Sequence, residues 1–411
     1  MARTVFAGGR LFDGTGAPIG EADVAIEGGV IAEVGSGLEG DDLVDVSGST
    51  LLPGLFDTHV HVMFGGDLDF LRALQMPFSY RFYEAIRNLE ATLGVGITTV
   101  RDAGGADLGV KQALSDGIIR GPRVQISITM LSQTGGHGDG WLPSGAEIDM
   151  FPPYPGSPAS IVDGPDEARR KVRELVRAGA EVIKIATTGG VLSPRDHPQK
   201  PGFGVEEIEV IVAEAHAAGL EVMSHAQSPA GIKSAVRAGV RSIEHGIYLD
   251  DEAISLMLER GTYLVPTLVA ATGVIRAADA GAAIPEIALM KAREVVEAHR
   301  DSIRRAIDAG VTIAMGTDSG VTPHGENLLE LELMADCGMA PVDVLVATTK
   351  TAAELMGLER ELGTVEPGKR ADLVVVSGDP LDFRDLAGRV EAVYQDGRLA
   401  AGAGDPAPTV V

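Results

Sequence analysis

The pattern of hydrophobic and polar positions differs between the two ends of the chain and its middle. Short strand-like runs separated by glycines lie at 4–7, 22–27, 30–34, 372–376 and 389–394. Runs of this kind are typical of β-strands, and Gly28-Gly29 predicts a hairpin turn between two of them. Two β-rich ends around a different middle predict a small β-sandwich domain that both termini form, from residues 1–53 and 363–411.

The middle of the chain, residues 54–362, alternates strand-like and helix-like runs. Strands are predicted at 51–61, 98–102, 124–130, 182–186, 221–225, 242–245, 263–267 and 312–318. Helices are predicted at 82–93, 165–178, 205–218, 229–238, 250–259 and 285–309, and several end at a glycine, the usual helix stop. Eight strands with intervening helices predict an α/β fold, the (β/α)8 TIM barrel.

A doubly wound open sheet is the alternative fold. No Gly-x-Gly-x-x-Gly fingerprint follows the first strand of the middle region, so nucleotide binding has no support in the sequence. Two long loops, at 132–164 and 187–204, follow predicted strand ends. In a barrel that is the face where active sites lie, so both loops are candidate substrate walls.

Composition narrows the possible partners and compartment. The formal net charge is −25, which argues against nucleic acid or an anionic membrane surface as a partner. Cys337 is the only cysteine, so an internal disulfide is impossible, and a buried structural thiol is expected in a reducing compartment. The N-terminus lacks an apolar signal-peptide core, and no run approaches the length of a transmembrane helix. We therefore expect a cytoplasmic protein.

Candidate chemistry begins with His59 and His61. Residues two apart on a strand point to the same face, so the two imidazoles would project together from the end of the first strand of the middle region. Neutral imidazole is a strong ligand for zinc and related metals. A chance pair of histidines is the plain alternative, and the pair alone does not decide between them.

Lys184 adds a second unusual feature, a lysine in the middle of an apolar strand. Ile183 and Ile185 would face the helices, which places Lys184 in the barrel interior. Burial lowers the pKa of a lysine, and a neutral amine can react with carbon dioxide to give a carbamate that bridges two metal ions. A Schiff-base lysine and a salt-bridged lysine are the alternatives, and this strand alone does not choose among them.

Further polar residues recur at the ends of later strands. His225, His245 and Asp318 each have a structural explanation when taken singly, as buried histidines or a helix cap. With His59, His61 and Lys184 they form a set at strand ends on one face of the fold. The set supplies enough ligands for two metal ions, each with an open position for water or substrate.

The sequence resembles the metal-dependent amidohydrolase superfamily, over essentially the whole chain. The matching positions are 53–61 (PGLFDTHVH), Lys184, His225, 244–246 (EHG), 316–318 (GTD) and 363–375 (GTVEPGKRADLVV). Within the superfamily it is most similar to the imidazolonepropionase-related group, which includes Xaa-Pro dipeptidase-like enzymes. That likeness rests on 133–139 (QTGGHGD), 189–194 (GGVLSP) and 323–327 (PHGEN).

The resemblance implies the binuclear subtype of metal site. His59 and His61 would bind the first metal ion with Asp318, and His225 and His245 would bind the second. Carboxylated Lys184 would bridge two divalent ions, for which zinc is the expected metal.

A metal site of this kind predicts a mechanism, and residues near the strand ends are candidates for substrate contact. A metal-bridging hydroxide would attack the amide carbonyl, with Asp318 as general base. His137 is the candidate for contacting the carbonyl oxygen or a substrate carboxylate, and Tyr248 and His324 are further candidates for substrate contact. Gln227 is another, and it departs from the aromatic residue or histidine that dipeptide-cleaving members often carry at this position.

The expected function is hydrolysis of the amide bond of Xaa-Pro-type dipeptides or N-acyl amino acids, with a small-molecule amide as the partner. A hydrolase of cyclic amides, like imidazolonepropionase, would share the same metal residues. A non-catalytic assembly protein that keeps the barrel is the third alternative, although such relatives lose metal ligands. A homo-oligomer is expected because barrels of this kind often assemble.

Overall fold

The computed structural model describes residues 2–67, 72, 75–193 and 196–402. The C-terminal residues 403–411 of the predicted β-sandwich domain and Pro194 of the 189–194 motif therefore lie outside the described residues.

The described strands, in chain order, are β1 Arg3–Ala7, β2 Arg10–Leu11, β3 Gly20–Glu21, β4 Asp23–Glu27, β5 Val30–Gly35, β6 Asp42–Asp45, β7 Ser49–Pro53, β8 Leu55–Val60, β9 Ile97–Asp102, β10 Arg123–Ile126, β11 Met130–Leu131, β12 Val182–Ala186, β13 Glu221–Ala226, β14 Ser242–His245, β15 Tyr263–Val265, β16 Leu373–Ser377, β17 Val390–Gln395 and β18 Arg398–Gly402.

The described helices pack outside the central strands or cover the ends of the fold. They span Tyr80–Gly94, Leu108–Ser115, Pro165–Ala178, Val205–Ala217, Pro229–Ala238, Asp251–Arg260, Leu268–Asp279, Glu286–Ala309, Leu329–Asp336, Pro341–Thr348 and Lys350–Met356, with a 3₁₀ turn at Ala387–Arg389. None of these helices combines the length and the hydrophobicity that a membrane crossing requires. Cys337 is buried and free, as predicted.

Strands from both termini build two sheets. One has the order β5-β4-β1-β6, and the other has the order β18-β17-β16-β7-β2-β3, in which Leu52 of β7 faces Val374 of β16. Phe6 and Val24 of the first sheet share a buried cluster with Leu373 of the second. The predicted hairpin is present, since β4 and β5 pair antiparallel around Gly28-Gly29 and both glycines have positive φ.

The central strands form parallel sheets flanked by helices, the α/β arrangement of a TIM-barrel-type fold. Their order is β10-β9-β8 in one ladder and β11-β12-β13-β14-β15 in the other. The predicted strand at 312–318 is present only as the isolated bridges Leu264–Ile313 and Val60–Ser319. Within the described residues the ladders therefore do not close into one continuous barrel, which corrects the prediction of eight regular strands.

Two other predicted strands are interrupted. The 51–61 strand splits at Gly54, whose N–H donates to the Asp372 carbonyl, while the N–H of Leu55 donates to the Gly96 carbonyl. A Cβ at Gly54 would lie 2.2 Å from Thr98 Oγ1, so only glycine allows the chain to pass from one sheet to the other. The 124–130 strand breaks at Ile128, which has a φ of +71°.

Candidate active site

The parallel pairing brings the predicted site residues to one edge of the central sheets. Ala186, two residues after Lys184, pairs with His225, and Ala226 pairs with His245. His59 lies near the end of β8 in the neighbouring ladder. Because the strands run in the same direction, their C-terminal ends meet, and the side chains of these residues converge.

Three of these side chains form a cluster with the geometry of a metal site. The ligand atoms of His59, His245 and Asp318 all lie within 4.8 Å of one another. Asp318 Oδ1 is 3.4 Å from His59 Nε2 and 3.2 Å from His61 Nε2. Nitrogen and carboxylate donors at such spacing suit zinc and related divalent ions, so the residues present fit a metal ion.

Hydrogen bonds fix the orientation of the clustered imidazoles. Nδ1 of His59 donates to Glu244 Oε2 at 2.7 Å, and Nδ1 of His61 donates to the Gly104 carbonyl at 2.8 Å. Nδ1 of His245 lies 2.7 Å from Thr267 Oγ1. With each Nδ1 held by the protein, Nε2 remains the free ligand atom, as in metal sites whose histidines are oriented by outer hydrogen bonds.

A fully buried ion pair supports His59, and the sequence analysis missed it. Arg101 Nη2 donates to Glu244 Oε1 at 3.0 Å and Arg101 Nε donates to the Thr58 carbonyl at 2.7 Å. Burial alone would raise the pKa of Glu244, but the Arg101 charge and the His59 hydrogen bond outweigh burial and hold that pKa well below its ordinary value. Glu244 is therefore an anion that keeps the Nδ1 proton on His59.

This geometry makes a prediction about Glu244 as a positioning residue. Glu244→Gln should weaken zinc binding by roughly 10- to 100-fold, the range seen when an outer partner of a metal-binding histidine is lost. The measurement is a zinc dissociation constant from competition with a chelator. Glu330→Gln is the matched control, because buried Glu330 accepts from the N–H groups of Leu268 and Val269 instead. Equal zinc affinity in Glu244→Gln and wild type would contradict the positioning role.

A second buried carboxylate, Asp57, was also missed. It accepts hydrogen bonds from His59 N, Thr317 N and Asn327 Nδ2 at 2.9 to 3.1 Å. Burial raises its pKa to about 6, and the hydrogen bonds oppose that rise. Asp57 thus ties the strand of His59 to the segment that carries Asp318. The sequence does contain a signal for Asp57, because residues 57, 59 and 61 are spaced by two and therefore share one face of a strand.

Lys184 faces the cluster, in the orientation that strand alternation predicted. The residue is 1% exposed, and its Nζ lies 3.4 Å from His59 Nε2. Burial lowers the pKa of Lys184 to about 8, against the attraction of Glu244 and Asp318. Lys184 is therefore close enough to His59 for both residues to bind the same metal ion, while its carboxylation stays a prediction.

His225 and His137 form a stacked pair beside the cluster. Their ring centroids are 4.1 Å apart with an interplanar angle of 20°. Nε2 of His225 donates to the Gly189 carbonyl at 3.0 Å, so this nitrogen is engaged by the loop after β12. A Cβ at Gly190 would lie 2.2 Å from His137 Cε1, which shows how closely that loop covers the histidine. The structure brings both residues to the site, and their roles stay predictions.

The other predicted contacts differ in their access to the cavity that the cluster lines. Gln227 lines it, and its Oε1 is buried with no hydrogen-bond partner among the described residues. Tyr248 and His324 are not among the described lining residues. His324 Nε2 donates to the carbonyls of His61 and Phe64, and its Nδ1 accepts from Thr92. The substrate contacts of Tyr248 and His324 stay predictions, whereas the contacts of His324 show that it supports the segment after His61.

Backbone conformation at the cluster is unusual. His245, Thr267 and Asp318 have φ values of +75°, +51° and +64°. Non-glycine residues adopt this left-handed region rarely and at a cost, and they collect at functional sites. All three residues line the cavity, at points where the regular strand conformation stops.

The chain is similar in sequence and in structure to several known proteins. Residues 50–401 match the protein family described as "Amidohydrolase family". Ochratoxinase from Aspergillus niger is 35% identical, with 98% of this chain and 87% of the relative covered. Imidazolonepropionase from Caldanaerobacter subterraneus subsp. tengcongensis is 25% identical, with 89% of this chain and 86% of the relative covered. The crystal structure of a Xaa-Pro dipeptidase with methionine bound in its active site has a TM-score of 0.88 and 35% identity, covering 97% of this chain and 99% of that one.

Proposed function

The chain belongs to the amidohydrolase family and is a hydrolase, and on that premise we propose that it cleaves the amide bond of Xaa-Pro-type dipeptides or N-acyl amino acids with two bound metal ions. The observation that carries the proposal is the cluster of His59, His245 and Asp318 in the wall of a cavity, with Lys184 beside it. The similarity to a Xaa-Pro dipeptidase supports the choice of substrate class.

The proposal assigns the metal ligands as follows. His59, His61 and Asp318 would hold the first ion, His225 and His245 the second, and carboxylated Lys184 would belong to both sites. His225 would have to give up its hydrogen bond to Gly189 in order to bind through Nε2. When bound, the ions would supply an activated water near neutral pH and polarise the amide carbonyl. Zinc as the metal is part of the proposal.

The chain's own residues would handle the proton and the substrate. Asp318 is the proposed general base, which accepts the proton of the attacking water and passes it to the leaving nitrogen. His137, stacked on His225, would donate to the carbonyl oxygen or bind a substrate carboxylate. Gln227 lines the cavity, and its amide oxygen Oε1 has no hydrogen-bond partner among the described residues, so a donor group of the substrate would complete its hydrogen bonding.

Other parts of the expectation also belong to the proposal. We place the boundaries of the terminal β-sandwich domain at residues 53 and 363, and we propose a cytoplasmic homo-oligomer that binds neither nucleic acid nor membranes. The apolar cluster that joins Val374 and Val393 to Leu93 means that the terminal strands would pack directly on the barrel region.

A hydrolase of cyclic amides is the second candidate. The similarity to imidazolonepropionase over most of both chains favours it. The third alternative, a non-catalytic assembly protein, is dropped because the chain is a hydrolase and all six predicted metal-ligand positions carry the required residue type.

The test is a substrate panel with zinc-loaded protein. Xaa-Pro dipeptides and N-acyl amino acids should be cleaved, and removal of the metal with a chelator should abolish turnover until zinc is restored. His216→Asn, which changes an exposed helical histidine, is the matched control for histidine loss and should behave like wild type. Cleavage of cyclic amides alone would select the second candidate, and no cleavage of any amide by the zinc-loaded protein would overturn both.

A further inference from the structure

The cavity beside the cluster has two chemically different sides. One side consists of apolar residues that follow β12, β14 and β15, among them Val191, Leu192, Ile247 and Val274. The other side carries ionisable residues, Arg81, Glu84 and Asp149, next to the aromatic rings of Phe64 and Phe151. A ligand that fills such a cavity has one apolar arm and one charged arm.

Arg81 stands out on the charged side because its charge is only weakly matched. No carboxylate of the described residues lies within 4 Å of its guanidinium, and the one hydrogen bond that it makes to those residues, to the Met150 carbonyl, is 3.3 Å long. Asp149 and Glu84 act on it only at longer range. The side chain is half-buried, and burial lowers the pKa of Arg81 from its ordinary value. A partly desolvated cation that lacks an ion pair is stabilised when an anion binds to it.

The surroundings of Arg81 favour an anion that is attached to an apolar body. The guanidinium carbon lies 5.7 Å from the centre of the Phe64 ring, a cation–π distance. Arg81 is the second residue of the helix Tyr80–Gly94, which has no acidic residue in its first turn. The positive end of that helix therefore adds to the Arg81 charge.

Arg81 also lies within reach of the reaction centre. The Phe64 ring is 5.6 Å from the His61 ring, so one aromatic side chain separates Arg81 from the metal cluster. A short acyl amino acid can span that distance, with its amide at the cluster and its carboxylate at the guanidinium.

We propose that Arg81 binds a carboxylate of the substrate and thereby sets both specificity and orientation. The acidic arm lies on Arg81 and Phe64, and the apolar arm lies against Val191, Leu192 and Val274. The substrate class is an amide with a free carboxylate on one arm and an apolar group on the other. This inference rests on the proposed amide hydrolysis and adds the group that is recognised.

The test compares two substrates that differ only in charge, the best N-acyl amino acid or dipeptide from the panel and its carboxamide. Wild type should prefer the free acid. Arg81→Gln should lower kcat/KM for the acid by roughly 10- to 100-fold, the loss expected for a hydrogen-bonded charge pair, mainly through KM. In the same variant, kcat/KM for the carboxamide should stay nearly unchanged. Arg81→Lys, which keeps the charge but loses the two-pronged contact, should fall between.

Arg87→Gln is the matched control, because Arg87 lies on the same helix but is exposed and is not among the described lining residues. It should keep the wild-type preference. The proposal is overturned if wild type cleaves the acid and the carboxamide equally well. It is also overturned if Arg81→Gln lowers kcat/KM for the two substrates to the same extent while its melting temperature stays that of wild type. Absence of cleavage of either substrate by zinc-loaded wild type would instead count against the proposed function.

Discussion

Lys184→Ala should lower kcat/KM by more than about 100-fold, beyond the effect of losing a group that only orients a metal ligand. The reason is position: Lys184 is buried and its Nζ lies 3.4 Å from His59 Nε2, at the centre of the proposed ligand set. A carboxylated lysine would give one oxygen to each metal ion, and alanine removes both. Metal content should fall in parallel, which elemental analysis of the purified variant measures.

Rescue distinguishes a bridging lysine from one that merely fills space. The cavity left by alanine can admit acetate or propionate, whose two carboxylate oxygens would stand in for those of the carbamate. Part of the activity and of the metal should return with added acid and should not return with chloride at the same ionic strength. Full turnover in Lys184→Ala without any acid would show that the bridging assignment is wrong.

Lys291→Ala is the control for loss of a buried lysine. Lys291 is 3% exposed and donates to the carbonyls of Gly190, Ser193 and Asp196, so it fastens the loop that covers His137. Its loss should loosen that loop and change KM. Short carboxylic acids should not restore the activity of Lys291→Ala, since the lost ammonium group is a hydrogen-bond donor and not a metal ligand.

The parts of the fold that local pattern determines could be predicted. The strands at 182–186 and 242–245 and the helices at 165–178 and 229–238 have the predicted bounds. Both helices end at a left-handed glycine, Gly179 and Gly239. The signals here are strong because an apolar run and its stop lie within a few residues of each other.

The interruptions of the strands could not be predicted, because their causes are tertiary. Ile128 and Asp318 take left-handed conformations that an alternating pattern does not announce. At Gly316 a Cβ would lie 2.4 Å from Val265 Cγ1, so the last segment leaves the ladder where two strands crowd together. Only the assembled site provides that crowding.

The candidate site shows the same division. Strand alternation predicted that His59 and His61 share one face and that Lys184 points into the interior, because each of these placements depends only on neighbouring positions. Arg101 and Glu244 lie 143 positions apart, and nothing local pairs them. In the sequence each is a single charge in a strand, and the pair becomes meaningful only once β9 and β14 lie across the same interior.

Asp318→Asn should lower kcat by roughly 10²- to 10⁴-fold, the range for loss of a general base, while KM changes little. Burial works against the charge of Asp318, but His59 and His61 outweigh burial and hold the pKa of Asp318 well below its ordinary value. The group is thus a carboxylate throughout the neutral range, which is the form that a general base requires. Asparagine keeps the shape and one ligand oxygen, and it tolerates the left-handed backbone at this position.

Steady-state kinetics with kcat and KM determined separately, together with metal content, decide the outcome for Asp318→Asn. Asp308→Asn, at an exposed position near the end of the helix Glu286–Ala309, is the control and should keep wild-type values. A rise in KM alone would remove the base role from Asp318. A fall in kcat that follows metal loss and is reversed by excess zinc would leave Asp318 only as a ligand. A fall in kcat at full metal occupancy is the result that a general base requires, because the carboxylate is then the only group that has changed.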